Sequence, residues 1–155
     1  MVNDVDNARV NIYDRFGKFL SSWGRGGIYP GEFSLPHGLV MDSNDDVFIN
    51  GFFGPIQKFT VNGQFLLAFC YPDPGDNAVV FHGLAGDRWG SLYVTVSEAE
   101  KGLLLKYNNT GDFVTQLKMS SPANEPSWPV VDRDGKVYVL YTTKGKAGIE
   151  VFAEQ

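Results

Sequence analysis

The sequence is poor in the residues that most often mark a disulfide scaffold or a metal centre, with one cysteine and two histidines among 155 residues. The single cysteine, Cys70, cannot form a disulfide within the chain, and we expect it to be a small buried hydrophobe. No apolar run approaches the length of a membrane span. The first ten residues, MVNDVDNARV, lack the pattern of a signal peptide. The localisation therefore stays unknown, and we expect no membrane partner.

Positive charge is also scarce. The formal net charge is −5 and the isoelectric point is near 4.9. The basic residues are scattered, with Lys144 and Lys146 as the densest pair, and they form no stripe. Attraction to a phosphate backbone is weak under these conditions, which argues against nucleic acid as a partner.

Signatures of catalysis are missing as well. No Ser/His/Asp or Cys/His nucleophile arrangement can be argued, because both histidines stand at repeat positions and Cys70 has no partner near it in sequence. Helical periodicity is absent, so no glycine-rich loop can precede a helix and cradle a phosphate. These absences favour a protein that is not an enzyme.

What the sequence has in quantity is apolar, aromatic and glycine residues. The apolar fraction is 43%, the aromatic fraction is 14%, and there are 18 glycines. Short strands favour aromatic and β-branched residues, and tight turns favour glycine. The composition therefore predicts one globular all-β domain of short strands joined by tight turns.

A repeat of 45 residues runs through the chain. Asp42, Asp87 and Asp132 are 45 residues apart, and each is followed by a turn and a strand: SNDDVFIN, RWGSLYVT and RDGKVYVL. A second phrase recurs as VNIYDRFGKFL, IQKFTVNGQFL and LLLKYNNTGDFV. Each unit divides into four short strands, and the second strands are apolar almost throughout, which predicts cover on both faces. Four antiparallel strands in each unit of this length are typical of a β-propeller blade.

The phrase GEFSLPHGLVMDSNDDVFINGFFGPIQKFTVNGQFL, residues 31–66, resembles the NHL repeat. The NHL family usually keeps Asp and Asn between its second and third strands, and here NGFFGP (50–55) replaces that loop. The resemblance implies a propeller of six blades and a role in binding. Some NHL proteins bind RNA through a basic face, which this acidic chain does not offer.

The strand count predicts about three blades per chain: a partial blade at 2–24, full blades at 25–70 and 71–120, and a partial blade at 121–155. Propellers close with roughly four to eight blades. Two explanations are open: the chain is a piece of a longer protein, or two copies form a homodimer that closes one six-bladed ring with composite blades.

The two histidines occupy the same repeat position, because His37 and His82 each precede Gly-Leu at the start of a first strand. In a propeller that strand lines the central channel. Similar histidine positions carry the zinc of the lyase domain of peptide-amidating enzymes, so the resemblance makes His37 and His82 candidate metal ligands. Zinc needs three or four ligands, and the third copy has Ser127 at this position. The favoured alternative is structural, with each imidazole capping backbone groups.

Three further groups of residues are candidates for a role in binding. Asp42, Asp87 and Asp132 are interpreted as turn-forming residues, with a Ca²⁺ site as the alternative. Trp128 is expected near the mouth of the channel. Phe52 and Phe53 lie in a loop, where exposed aromatics would mark a partner surface and aromatics that fold inward would belong to the core.

The sequence is therefore interpreted as an NHL-like binding or assembly scaffold that recognises a protein or a small ligand. The candidate binding residues are His37, His82, Ser127, Trp128, Phe52 and Phe53, and no cofactor is expected. The alternative is a metal-dependent enzyme of the lyase type, with zinc at the histidines.

Overall fold

The computed structural model describes residues 1–52, 54–72, 79–99, 101–120, 125–143 and 145–153, with only the backbone of residue 125. These residues form an all-β structure, and no helix occurs among them. Four antiparallel sheets follow one another along the chain. Sheet I contains β1 (Val2–Asp4), β2 (Arg9–Tyr13) and β3 (Phe19–Trp23). Sheet II contains β4 (Pro36–Met41), β5 (Val47–Gly51), β6 (Ile56–Phe59) and β7 (Phe65–Phe69). Sheet III contains β8 (Val79–Gly86), β9 (Leu92–Glu98), β10 (Lys101–Tyr107) and β11 (Phe113–Lys118). Sheet IV contains β12 (Glu125–Val131), β13 (Val137–Thr143) and β14 (Lys146–Phe152).

The recurring aspartates build the turns between the first and second strands of sheets II, III and IV. The Oδ1 atom of each aspartate accepts hydrogen bonds from the backbone N–H groups two and four residues further along, at 2.8–3.0 Å. Such a side chain replaces water at backbone groups that the turn leaves without a partner. The interpretation of Asp42, Asp87 and Asp132 as turn-forming residues is confirmed.

Each sheet is a simple meander in which every strand pairs with the next. The first strands of sheets II, III and IV all carry an irregularity near their start. The register shifts between Pro36 and Gly38, between Phe81 and Gly83, and between Pro126 and Pro129. Both histidines are therefore bulge residues, and a bulge turns its side chain away from the regular alternation of the strand.

Apolar side chains fill three layers between neighbouring sheets, and the first strands β4, β8 and β12 contact one another in turn. Burying one such Val, Leu, Ile or Phe side chain stabilises the fold by roughly 1.5–3 kcal/mol. The layers contain the following buried residues: Val10, Phe33, Val47, Ile49 and Phe59 between sheets I and II; Phe48, Ile56, Val94, Leu105 and Tyr107 between sheets II and III; Tyr93, Leu104, Met119, Val137 and Val139 between sheets III and IV.

The two end sheets have one face each that no other described sheet covers. The prediction that the second strands are covered on both faces is confirmed for β5 and β9, which are buried along most of their length. It is wrong for β13, where Leu140 is 46% exposed. The reason is that sheet IV is the last sheet in the row, so side chains that point away from sheet III meet solvent.

Two further expectations concern exposure to solvent and lipid. Cys70 is exposed, which overturns the expectation that it is buried. It continues the alternation of β7, in which Leu66 and Ala68 are also exposed, so its side chain lies on the exposed side of this edge strand. Within the described part of the chain, no helix has the length and apolarity that crossing a bilayer requires.

Candidate functional site

Aromatic and imidazole rings from three segments meet beside the first strands of sheets II, III and IV. The ring of His37 lies 4.4 Å from that of Phe52 and 5.4 Å from that of Trp128, measured between centroids. Phe52 stands directly after β5, and Trp128 stands in the bulge of β12. The structure thus brings together three of the six candidate residues, which are separated by up to 91 positions in sequence.

The backbone carbonyl of His82 fixes the geometry of this cluster. It accepts a hydrogen bond from His37 Nδ1 at 2.7 Å and another from Trp128 Nε1 at 2.9 Å. A carbonyl oxygen can only accept, so the Nδ1 atom of His37 carries a proton. The imidazole of His37 therefore bridges sheet II to sheet III, as the structural hypothesis for this residue predicts.

Hydrogen bonds of the same kind connect the other neighbouring sheets at the same repeat position. Asn3 Nδ2 donates to the carbonyl of His37 at 3.2 Å, and Thr95 Oγ1 donates to the carbonyl of Ser127 at 2.7 Å. Each carbonyl belongs to the bulge of a first strand, and each donor belongs to the preceding sheet. Because buried backbone oxygens need a partner, these bonds hold the first strands side by side.

The glycine that follows each histidine permits the close approach of the next sheet. A Cβ atom at Gly83 would collide with the side chain and backbone of Trp128, and one at Gly38 would collide with Asn50 Oδ1 and approach Leu84. The phrase His-Gly-Leu therefore combines a bulge, a shared carbonyl and a position with no room for a side chain.

The two histidines differ in their contacts although they share a repeat position. His82 Nε2 lies 2.8 Å from Ser97 Oγ within its own sheet, whereas His37 reaches the neighbouring sheet. The backbone carbonyl of Ser127 accepts a hydrogen bond from Thr95, and Phe53 lies outside the described residues. Whether any of these residues binds a ligand stays a prediction.

The described residues do not supply the donor set that zinc would need. Among them, no three His, Cys, Asp or Glu side chains are placed to hold one ion. The recurring aspartates stand in three separate turns, and their Oδ1 atoms are used by backbone N–H groups. The geometry of the described residues therefore offers neither the zinc centre of the lyase alternative nor a shared Ca²⁺ site.

A small cleft of about 220 Å³ adjoins the loop that carries Phe52. The residues that line it include Ile28, Tyr29, Gly51 and Gly54. Gln57 holds residues 31 and 32 in place beside the cleft. Its Oε1 atom accepts a hydrogen bond from the N–H of Gly31 at 2.7 Å, and its Nε2 atom donates one to the carbonyl of Glu32 at 2.8 Å.

Exposure separates the cluster from an ordinary part of the core. Trp128 is 55% exposed although its indole N–H is hydrogen-bonded. His37 and Phe52 are partly buried. The cluster thus presents a rigid aromatic surface to solvent with its polar donors already directed at the backbone.

Sequence reasoning missed Asn3, Asn50 and Thr95, which bind the first strands through their side chains. A signal for two of them was present, because Asn50 and Thr95 are 45 residues apart. Polar residues at equal positions in otherwise apolar second strands indicate a shared structural partner.

No protein-family profile and no curated protein matches this sequence.

Proposed function

We propose that this chain is a segment of an NHL-type β-propeller that acts as a non-catalytic scaffold for binding and assembly. Four sequential meanders, the contact between their first strands and the apolar layers between their faces support the propeller. The 45-residue period supports one blade for each unit.

The observation that carries the binding role is the aromatic cluster of His37, Phe52 and Trp128. Its rings are held in place by hydrogen bonds to the carbonyl of His82, so their exposed faces are preorganised. Rigid, partly exposed aromatics favour partners that present a flat apolar or aromatic group, because little conformational entropy is lost on contact. The expected ligand is a protein loop or a small molecule of that chemistry.

The binding role is tested with indole as the probe, followed by NMR at the indole N–H signals of the three tryptophans. We expect saturable shifts of the Trp128 signal at millimolar indole. Trp128→Ala should abolish the shifts elsewhere in the cluster. Trp89→Ala is the matched control, since Trp89 is 59% exposed and lies in a turn outside the cluster. Equal shifts at Trp89 and Trp128, or none at Trp128, would contradict the proposed role of the cluster.

The assembly role rests on the open face of sheet IV. Ile149 of β14 stands where Leu104 stands in sheet III and Ile56 in sheet II. Ile149 is 65% exposed, whereas Leu104 is 1% exposed and Ile56 is fully buried. The face of sheet IV thus has the composition of faces that another sheet covers elsewhere in the chain, and a second copy of the chain is the proposed cover.

Sheets I and IV have three strands each. A composite blade made from sheet IV of one copy and sheet I of the other would therefore have six strands, two more than a blade of four. We therefore favour face-to-face stacking of sheet IV on sheet I of the second copy over the composite blade that the sequence led us to expect. Sheet I offers Val2 and Leu20 as exposed apolar residues. Stacking of this kind reproduces the packing between the internal sheets.

A further inference from the structure

A contact between two aromatic rings recurs in the first three sheets. The aromatic residue that ends the third strand of the repeat packs edge-on against the phenylalanine that begins the fourth. The pairs are Tyr13–Phe19, Phe59–Phe65 and Tyr107–Phe113, with a centroid distance of 5.8 Å in each pair and interplanar angles of 74°, 76° and 74°. The turn between them has a glycine two residues before the phenylalanine: Gly17, Gly63 and Gly111, with φ of 82°, 83° and 85°. The repeat therefore uses a Gly-x-Phe element at a fixed place.

This element also fills the gap between neighbouring sheets. Trp23, at the end of β3, lies against Gly63 of the next unit, and Phe69, at the end of β7, lies against Gly111 of the next unit. An added Cβ would be 2.5 Å from the ring of Trp23 and 2.6 Å from that of Phe69. The last side chain of the preceding sheet thus packs directly against the turn glycine.

Lys58 reinforces the second of these two contacts. Its Nζ atom is buried between sheets II and III, where it lies 2.9 Å from Asp46 Oδ2 and donates to the carbonyl of Asn109 at 3.0 Å. Asn109 belongs to the turn that contains Gly111. Lys106 occupies the equivalent place in sheet III.

Between sheets III and IV the corresponding place is a groove of about 440 Å³. Leu117 stands where Trp23 and Phe69 stand, since it pairs with Leu104 as they pair with Val10 and Ile56. Phe152 stands at the position of Tyr107, at the end of β14. The lining residues include Leu104, Lys106, Leu117, Val137 and Phe152. Within the described residues, β14 pairs with β13 alone, so the other edge of β14 has no strand beside it.

We propose that this groove binds an extended peptide segment of the pattern Gly-x-Phe, supplied by another polypeptide, as a fourth strand on the open edge of β14. The peptide backbone would complete the ladder, as in β-strand addition. Its phenylalanine would pack on Phe152, and its turn glycine would lie over Leu117. Lys106 lines the groove where Lys58 contacts the turn in the preceding interface. The inference is independent of ring closure, because a monomer offers the same groove.

The test uses the chain's own fourth-strand element as the probe. A fluorescently labelled peptide with the sequence of residues 108–119, NNTGDFVTQLKM, is titrated with the full chain and its anisotropy is measured. We expect saturable binding, weakened at least tenfold when the peptide carries Phe113→Ala. NMR shifts caused by the peptide should concentrate on β14 and on the residues that line the groove. Equal affinity of the two peptides, or shifts confined to β10, would overturn the proposal, since shifts at β10 mean that the peptide replaces β11.

Variants of the chain distinguish peptide binding in the groove from peptide binding elsewhere on the surface. Leu117→Glu should weaken binding at least tenfold, because it places a charge in the groove at a side chain that is 41% exposed. Val114→Glu is the control on the same strand, since Val114 is 53% exposed and does not line the groove. Sedimentation of the peptide complex identifies the occupant. A peptide bound to the chain, whether the chain is a monomer or the stacked dimer, supports the proposal, and a groove filled by a second copy that the peptide cannot displace contradicts it.

Discussion

Two glycines with the same backbone conformation but different surroundings allow a direct measurement of packing between sheets. Gly17 and Gly63 occupy the same turn of the repeat, with φ of 82° and 83°. A Cβ atom at Gly17 would meet nothing within 4 Å, whereas one at Gly63 would lie 2.5 Å from the ring of Trp23. Alanine at either site strains the backbone equally, and only alanine at Gly63 displaces the ring.

The expected magnitudes follow from these two terms. A residue with a Cβ in the left-handed region costs roughly 1–2 kcal/mol relative to glycine. Added volume in a packed contact costs typically about 1–3 kcal/mol more. Gly17→Ala should therefore lower the free energy of unfolding by about 1–2 kcal/mol, and Gly63→Ala should lower it by about 2–5 kcal/mol. For a chain of this size, a difference of ~2 kcal/mol corresponds to roughly 4–8 °C in the melting temperature.

The measurement is equilibrium unfolding in urea, followed by tryptophan fluorescence, with the slope against urea compared between variants. Trp23 reports on the contact directly, since its indole N–H donates to the carbonyl of Val61 at 3.1 Å. An equal loss of stability for Gly17→Ala and Gly63→Ala would refute the packing of Trp23 on the turn. So would a larger loss for Gly17→Ala.

Two further predictions address assembly and the turn of sheet III. Sedimentation of the wild-type chain should give a mass of twice 17.1 kDa. Ile149→Asp should reduce the mass to that of the monomer, whereas the control Leu66→Asp, at an exposed site of β7, should leave the dimer intact. A folded wild-type monomer at micromolar concentration would contradict the stacked homodimer. Hydrogen bonds from Thr110 and, to a smaller extent, Asn108 hold the pKa of Asp112 below its usual value of 3.8. Thr110→Val should therefore raise the pKa of Asp112 in an NMR titration. The pKa of Asp4, which Asn7 and Arg9 hold low, is the control and should stay unchanged. Because the folded-state pKa of Asp112 is depressed, its contribution to stability is present above the unfolded-state pKa and is lost as the pH falls through the folded-state pKa.

The arrangement of strands could be predicted because its determinants are local. An aspartate followed by a polar turn fixes where a first strand ends and a second begins, and the hydrogen bonds of Asp42, Asp87 and Asp132 show this chemistry acting in three sheets. The turn glycines between third and fourth strands act in the same way, since a φ near 83° excludes most other residues.

Exposure could not be predicted from the same pattern, because it depends on what covers a face. Leu140 and Val94 belong to second strands of similar apolar composition, yet Val94 is fully buried and Leu140 faces solvent. Sheet II covers Val94, whereas no described sheet covers the face of sheet IV that carries Leu140. The exposed position of Cys70 has the same origin, since Cys70 shares the exposed side of β7 with Leu66 and Ala68.

The candidate site could be predicted in part. The repeat position singled out both histidines, the loop position singled out Phe52, and the expected channel mouth singled out Trp128. The repeat could not reveal that one carbonyl receives both His37 and Trp128, because those bonds connect different sheets. They depend on the spacing between sheets, which no local sequence pattern encodes.

The donor that reaches the bulge carbonyl of the next sheet differs from one interface to the next. Asn3 bonds the carbonyl of His37, His37 bonds that of His82, and Thr95 bonds that of Ser127. Trp128 in turn lies over Gly83 and donates to the carbonyl of His82. Trp128 stands at the repeat position of Gly38 and Gly83 and is 55% exposed, so sheet IV keeps the bond to its bulge carbonyl and adds an indole where sheets II and III have room only for a glycine.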